Sequence, residues 1–407
     1  MKVILITLHG ARLDAFGCYG STLALTPHLD RLASQSIVFD QHYLSTVQDD
    51  SLNDGSQDDV TLTLDELTAT LTANQGTSAY FGDQRVIQYP GYSVSWKHVG
   101  VINDHDLPAL EQPTLLDGVL QHGIDWLQQY GQHYSRWLLN LELGCLLPPW
   151  REEEFAAERE VSKSTDETPV EPIFDPDDEG PQPQPDRFGW RSAYAGVVRY
   201  LDDLLGQFLK LLDELQLNQE CMLIVQSSGG VSLGEYSSVP NRAGGICEER
   251  CHLPLLIRFP NYAGAGRRVH FFTQPDDVLL TVFQSLLGEA PTEIQGDHLV
   301  RFTQGQAGRY RDYHVSLLYP ESGQPVEACL RSKHWSLVIP LDLNNPRPLQ
   351  LYRKPEDRWD MNNVAREHLD VAEHLELTLR RFLAWKSAGC LGDPPTLREE
   401  VTKVMAE

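Results

Sequence analysis

Two short segments of this chain combine residue types that could hold a metal or act as a nucleophile. Cys247, Cys251 and His252 supply the thiolate and imidazole groups that zinc prefers, although no fourth ligand is suggested nearby. Residues 230–234 match the G-x-S-x-G pattern, which in serine hydrolases places the central serine, here Ser232, on a sharp turn between a strand and a helix. Four residues separate this pattern from the preceding apolar run, and a loop-like stretch follows it. Structural thiols and an ordinary loop are therefore the simpler interpretations.

The elements that must position such residues alternate between strands and helices. Apolar runs without in/out alternation predict buried parallel strands over residues 3–8, 137–141, 222–225 and 253–257. Apolar residues spaced three and four apart predict helices over residues 116–127, 194–215 and 371–382, and Thr26-Pro27 predicts the start of another. Strands that alternate with helices indicate an α/β fold with a mostly parallel sheet covered on both faces.

The pattern along the chain predicts two domains. Residues 1–300 carry the alternating strands and helices, whereas residues 301–407 carry shorter strands and a final helix, which predicts a small C-terminal α+β subdomain. Residues 151–187 contain 13 acidic and 4 basic residues, with six prolines, and cannot bury enough apolar surface to offset their ordering entropy. We expect this segment to be a long exposed insertion that is at least partly disordered.

Charge and composition exclude several classes of partner. The 407 residues include 33 basic and 58 acidic side chains, a formal net charge of −25, so a general binder of nucleic acid or of anionic membrane surfaces is not expected. No apolar run reaches the roughly 18 residues that a membrane span needs, and no secretory signal peptide is recognised. Seven scattered cysteines fit free thiols in a reducing compartment, which predicts a cytoplasmic location. The sequence leaves the partner and the ligand unknown.

Longer motifs, in order along the chain, carry a family resemblance. Residues 5–20 read L-I-T-L-H-G-A-R-L-D-A-F-G-C-Y-G, residues 26–33 read T-P-H-L-D-R-L-A, and residues 232–235 read S-L-G-E. Further pieces are E-E at 248–249, L-P-L-L-I-R at 253–258 and Q-P-D-D at 274–277. The chain resembles the sulfatase family of the alkaline phosphatase superfamily. This resemblance implies a three-layer α/β fold with a large sheet between helices.

The resemblance also implies a divalent cation, usually calcium, held by carboxylates from the end of the first strand and from a D-H-G or D-N-G turn after a later strand. Here His9 and Gly10 stand at the first pair of positions, and Ser228 and Gly229 stand at the second. Imidazole suits softer metals, and glycine has no side chain to donate. Asp14 persists, but its position after the turn is more typical of a structural role.

The positions that correspond to the family's nucleophile and substrate clamps differ as well. Sulfatases carry C-x-P-S-R or S-x-P-S-R in the nucleophile loop, whereas alignment by spacing places Asp49 at the nucleophile position, near Ser51, without the proline or the S-R pair. Asp83 replaces a lysine that follows a strand, residues 145–148 replace the H-x-P segment, and Arg242 is the best substitute for a second lysine. An acidic residue at the nucleophile position would repel a sulfate ester.

Our first hypothesis is a pseudoenzyme: a sulfatase-family protein without sulfuric ester hydrolase activity, which acts by binding or as a scaffold. On this hypothesis no catalytic residue, bound metal or other cofactor is expected, and His9 most simply makes a hydrogen bond within its own turn.

Two alternatives remain open. In the first, the chain is an active sulfuric or phosphoric ester hydrolase with a rebuilt site, in which His9, Asp14, Asp49 and Asp50 hold calcium or another divalent cation. The nucleophile would then be one of three hydroxyl residues, Ser45, Thr46 or Ser51. In the remote second alternative, Ser232 is the nucleophile of a serine hydrolase.

Overall fold

The computed structural model describes residues 1–48, 59–86, 96–103, 114–148, 150, 187–235, 245–291, 294, 296–306, 311–320, 323–342, 348–390 and 393–397. Almost all of the acidic segment predicted over residues 151–187 lies outside these ranges, so its disorder stays a prediction. None of the helices in the described ranges combines the length and the apolar character needed to cross a membrane.

The described part of the chain forms two sheets and seven α-helices. The strands are β1 (Lys2–Gly10), β2 (Ile37–Phe39), β3 (Thr46–Gln48), β4 (Thr77–Asp83), β5 (His98–Ile102), β6 (Trp137–Leu143), β7 (Cys221–Gly230), β8 (Leu255–Arg258), β9 (Arg268–Val269), β10 (Tyr313–Tyr319), β11 (Glu327–Ser332), β12 (Trp335–Pro340) and β13 (Gln350–Arg353). The helices are α1 (Pro27–Ser34), α2 (Asp59–Ala73), α3 (Leu115–Tyr130), α4 (Arg187–Glu214), α5 (Glu248–Cys251), α6 (Pro275–Leu287) and α7 (Leu369–Ser387).

The larger sheet has the strand order β5-β4-β6-β1-β7-β8-β2-β9 and is covered by helices on both faces. Successive side chains of a strand point to opposite faces, so β1 contributes Ile4 and Ile6 to one apolar layer and Val3 and Leu5 to the other. Helices α1, α3 and α4 supply the first layer, and α2 and α6 supply the second. This three-layer α/β architecture confirms the predicted fold class.

One strand runs against the predicted direction. The run predicted over residues 253–257 is found as β8, but β8 pairs antiparallel with both β7 and β2. The other pairings in this sheet are parallel. The described part of the connection between β7 and β8 contains the four-residue helix α5, and not the long packed helix that usually joins two parallel strands. The prediction that all four runs are parallel is therefore wrong for β8.

The smaller sheet has the strand order β13-β12-β11-β10-β3 and packs against α7. Strands β10 to β13 pair antiparallel, whereas β3 pairs parallel with β10 at the edge. Because β3 comes from residues 46–48, this sheet also contains a strand from the first predicted domain. A boundary between residues 300 and 301 stays a prediction.

Candidate functional site

The carboxyl ends of β1, β6 and β7 bring three polar side chains into contact. In parallel sheets this edge is where ligands bind, because the loops that follow the strands open there. The Nδ1 atom of His9 lies 2.9 Å from the hydroxyl oxygen of Ser228, and its Nε2 atom lies 3.3 Å from a carboxylate oxygen of Glu142. The imidazole thus bridges an exposed hydroxyl and a buried carboxylate.

A β-bulge in β7 places Ser228 beside His9. Leu8 pairs with Ser227 and His9 pairs with Gly229, so Ser228 is an extra residue in the β7 strand. A bulge of this kind bends the strand and redirects a side chain, and such bulges occur often next to functional sites. Ser228 is exposed, whereas Ser227 is buried with its hydroxyl donated to the carbonyl oxygen of Gly229.

Glu142 is held in place from the sheet side. Its side chain is 8% exposed, and its carboxylate accepts hydrogen bonds from the hydroxyl of Tyr80 at 3.3 Å and from the side-chain amide of Asn140 at 3.2 Å. A buried carboxylate is stable only when its oxygens have partners. These bonds fix the carboxylate on the side of the imidazole opposite to Ser228.

Sequence reasoning missed Glu142, although a signal was present. Strand β6 reads W-L-L-N-L-E-L, and a charged residue in a mostly apolar, fully buried strand is rare unless it has a specific partner. Sequence reasoning also assigned His9 a bond within its own turn. That assignment is wrong, because His9 bonds across the sheet to β6 and β7.

The turn after β1 explains why Gly10 is a glycine. Its φ of +86° is in the left-handed region, and a Cβ at this position would lie 2.6 Å from the carbonyl oxygen of Leu146. The hydroxyl of Tyr194 donates to the carbonyl oxygen of Gly10 and accepts from the backbone N–H of Arg12. No carboxylate could be accommodated at Gly10 without moving this turn.

Asp14 is committed to an ion pair with Arg12. Both of its carboxylate oxygens accept hydrogen bonds from the buried guanidinium at 2.8 Å, and Glu235 accepts a third at 2.7 Å. Burial disfavours the charge on Arg12, but Asp14 and Glu235 outweigh it and raise the pKa of this side chain. Asp14 and Arg12 neutralise each other within this network.

Asp83 has a structural role at the end of β4. It is fully buried and accepts a hydrogen bond from the backbone N–H of Gly144 at 2.8 Å and another from that of Arg85 at 2.9 Å. Its carboxylate thereby joins the loops that follow β4 and β6. Cys145 and Leu146 in the second of these loops are fully buried.

Several predicted site residues lie apart from His9 or outside the described residues. The structure does not describe Asp49, Asp50, Ser51 or Arg242. The hydroxyl of Ser45 lies 3.5 Å from the side-chain oxygen of Gln274, and Thr46 is an exposed residue of β3. Gly229 stands at the second position of the family's turn, and a Cβ built there would meet only Leu44, at 3.9 Å.

The two segments that first suggested catalysis or metal binding have other environments. Ser232 is 2% exposed, and its hydroxyl lies 3.4 Å from Glu235. Strand β7 runs on to Gly230, because residues 226–230 continue the pairing with β1 although they are polar or small. The four-residue gap that the sequence predicted between this strand and the G-x-S-x-G pattern is therefore wrong.

In the second segment, both ring nitrogens of His252 are used, one by Glu248 at 2.9 Å and one by the carbonyl oxygen of Asp40 at 2.7 Å.

A second place in the described structure groups potential metal ligands. His28, Asp202 and Asp203 have ligand atoms within 4.8 Å of one another, at the start of α1 and on α4. Asp202 is buried and accepts hydrogen bonds from the backbone N–H groups of His28 and Leu29, at 3.0 and 2.8 Å. These bonds cap α1, so the carboxylate of Asp202 has a structural function there.

The donors around His9 do not match the oxygen-rich set that calcium requires. Calcium takes six to eight oxygen ligands, mostly from carboxylates and carbonyls. Among the described side chains at this edge, His9 offers nitrogen, Ser228 a hydroxyl, and Glu142 a carboxylate that already accepts bonds from three side chains. His9 and Ser228 also bond directly to each other, across the space between the two positions where the resemblance implies carboxylate ligands.

Comparison with known proteins agrees with this fold. The sequence profile of the sulfatase family matches residues 93–288. The structure resembles the phosphonate monoester hydrolase of Agrobacterium radiobacter, with a TM-score of 0.70, 17% identity and 95% of each chain covered. It also resembles the putative sulfatase yidJ of Bacteroides fragilis, with a TM-score of 0.72, 15% identity and 95% and 96% of the two chains covered.

Two curated relatives match part of the sequence. The N-acetylglucosamine-6-O-sulfatase of Bacteroides thetaiotaomicron is 22% identical over 199 residues, 46% of this chain and 35% of that protein. The multifunctional alkaline phosphatase superfamily protein PehA of Trinickia caryophylli is 28% identical over 130 residues, 32% of this chain and 24% of that protein. The matched regions thus span about a third or less of these relatives.

The fold is the one seen in solved phosphonate monoester hydrolases and sulfatases. In sequence, residues 93–288, slightly less than half of the chain, are similar to the sulfatase family.

Proposed function

We propose that this protein keeps the sulfatase fold but does not hydrolyse sulfuric esters by the metal-dependent chemistry of its family. With respect to sulfate esters it is a pseudoenzyme, and its strand-end site serves other contacts. The observation that carries this proposal is the 2.9 Å hydrogen bond between His9 and Ser228, two residues at positions where the family resemblance implies acidic metal ligands.

The local charges also support this proposal. Catalysis at a sulfate ester depends on cations that neutralise the developing negative charge. The buried cation nearest to this site in sequence, Arg12, is already paired with Asp14 and Glu235. Glu142 and Asp83 add carboxylates at the ends of β6 and β4, and the whole chain carries a net charge of −25. An anionic ester would therefore be repelled from this edge.

The rebuilt-site alternative draws no support from the described residues. It needs His9 and Asp14 to act together, but Asp14 binds Arg12 through both carboxylate oxygens, and His9 binds Ser228 and Glu142. Asp49 and Asp50 lie outside the described residues.

Metal content and turnover of the full chain test the proposal. The purified protein, equilibrated with calcium and then desalted, is expected to hold far less than one calcium per chain. It is also expected to leave aryl sulfates and aryl phosphates unhydrolysed above the buffer rate, while an active sulfatase assayed in parallel turns them over. One tightly held calcium per chain together with saturable aryl sulfate turnover would contradict the proposal.

A further inference from the structure

We propose that Ser228, His9 and Glu142 form a metal-independent nucleophilic site that acts on neutral carboxylic esters. This inference goes beyond the loss of sulfate ester hydrolysis, because it concerns a different bond and a different catalytic group. It starts from the connected geometry of the three residues: Ser228 to His9 at 2.9 Å, and His9 to Glu142 at 3.3 Å.

The order of the three groups is that of a nucleophile, a base and an orienting acid. A serine hydroxyl is a weak nucleophile until an adjacent base removes its proton, and that base must be held in the correct tautomer by a third group. Nε2 of His9 lies 3.3 Å from a carboxylate oxygen of Glu142, and an ionised carboxylate can only accept, so this contact favours the tautomer with its proton on Nε2. In that tautomer Nδ1 accepts the proton of Ser228.

The exposure of the three groups increases from the acid to the nucleophile. Glu142 is 8% exposed and His9 is 21% exposed at the side chain, whereas Ser228 is exposed at the bulge. A substrate can reach the hydroxyl, while the carboxylate stays in the low-dielectric interior where its attraction for the imidazole proton is strong.

The substrate class follows from the charges around the site. Carboxylates in the loops and strands nearby disfavour a sulfate or phosphate ester, whereas a neutral carbonyl carries no charge to be repelled. A Cβ built on Gly229, the residue after the nucleophile, would meet the apolar side chain of Leu44 at 3.9 Å. A carboxylic ester with an uncharged acyl group matches both features.

The reaction balances without any further reagent. The Oγ atom of Ser228 attacks the carbonyl carbon while its proton passes to Nδ1 of His9. The tetrahedral intermediate then collapses: the bond to the alcohol oxygen breaks, and His9 returns the proton to that oxygen. Water attacks the acyl-serine in the same way, giving the free acid and restoring Ser228. One ester and one water yield one acid and one alcohol.

A fluorophosphonate probe tests the nucleophile directly. The probe loses fluoride to an activated serine and leaves a phosphonyl adduct of known mass. We expect the full chain, in EDTA, to acquire one adduct, and peptide mapping to place it on Ser228. Ser228→Ala should abolish the adduct, and His9→Gln should slow its formation about 100-fold, at the lower end of what general base catalysis contributes. The matched control Ser232→Ala should label as fast as the unmodified chain.

Two further measurements address folding and the role of Glu142. Ser228→Cys should be alkylated by iodoacetamide faster than any other cysteine of the chain, a readout that does not require the His9 variant to fold. For Glu142→Gln, we expect slower labelling and a change in the ¹⁵N shifts of the His9 ring, which report its tautomer. An unchanged tautomer would reduce Glu142 to a packing role.

The outcomes separate this inference from the proposed function. An adduct on Ser232 or another residue, or no adduct on a chain shown to be folded by circular dichroism, overturns the Ser228 site. Calcium-dependent aryl sulfate turnover would overturn the proposed function instead, and the labelling in EDTA would still report on Ser228.

Discussion

Glu248 on α5 and Arg331 on β11 form an ion pair of 2.7 Å that joins the region of the large sheet to the small sheet. Both side chains are buried, and Glu248 also accepts a hydrogen bond from the hydroxyl of Tyr43. Burial favours the neutral acid, but Arg331, the hydrogen bond with His252 and the nearby Lys354 outweigh it and lower the pKa of Glu248 well below its ordinary range. The small sheet is thus connected to the rest of the protein by charge as well as by apolar packing.

Removing the cation of this pair should be costly. Arg331→Met leaves Glu248 buried with weaker compensation from Lys354, at 3.7 Å, and breaking a buried pair in this way typically costs about 3–5 kcal/mol. We expect a fall of that size in the free energy of unfolding, measured by urea denaturation. The matched control is Arg380→Met on α7, where the exposed pair with Glu376 should contribute less than about 1 kcal/mol. Equal effects of the two changes would contradict the assigned role.

The pH dependence of stability should contain a contribution from Glu249. Burial raises its pKa from 4.5 to about 7, with smaller opposing effects from its backbone and from Arg12. The folded state therefore holds this proton more tightly than the unfolded state does, and stability falls as the pH rises from about 4.5 to about 7. A rise of this size in the pKa corresponds to roughly 3 kcal/mol in the free energy of unfolding.

Glu249→Gln removes that contribution. Compared with the unmodified protein, we expect the variant to gain stability at pH 8 and to gain little at pH 4, in urea denaturation curves recorded at both pH values. Glu373→Gln, at an exposed position on α7, should show no such difference between the two pH values. A gain that is the same at pH 4 and pH 8 would mean that the charge of Glu249 is not its cause.

Two adjacent glycines at the end of β7 should respond differently to alanine. A Cβ on Gly230 would lie 1.8 Å from the carbonyl oxygen of Glu249, so Gly230→Ala must displace backbone. We expect a loss of about 2 kcal/mol or more, within the range for overpacked sites. A Cβ on Gly229 would meet only Leu44, at an ordinary 3.9 Å, so Gly229→Ala should change the unfolding free energy by less than about 1 kcal/mol. Thermal unfolding of the two variants compares these effects.

The fold could be predicted because its signals are local. The apolar runs of β1, β6 and β7 mark strands, and the spacing in α4 marks a helix, since burial on a sheet or a helix face imposes those patterns. The direction of β8 could not be predicted, because it depends on how the chain returns between two strands.

The candidate site could be predicted only in part, because it depends on register. His9, Gly10, Ser228 and Gly229 were found from the family resemblance, but the bulge that turns Ser228 towards His9 is a property of pairing between two distant strands. Glu142 reaches His9 from a third strand, 133 positions away in the sequence. No local pattern identifies His9 as the partner of Glu142, although the charge within β6 indicated that Glu142 needs a partner.

Introducing acidic residues should test whether the side chains alone decide calcium binding at this site. Gly229 has space for a side chain, so His9→Asp combined with Ser228→Asp and Gly229→Asn would rebuild the carboxylate and amide oxygens that the family resemblance implies. Gly10 must stay unchanged, because its φ of +86° and its contact with Leu146 exclude a Cβ. We expect the triple variant to bind calcium at least tenfold more tightly than the unmodified chain in isothermal titration calorimetry. His28→Ala in the same background is the control for the group at His28, Asp202 and Asp203, and it should leave the gained binding unchanged. A triple variant that folds but gains no calcium affinity would show that the strand-end backbone, and not only the replaced side chains, has lost the geometry of a metal site.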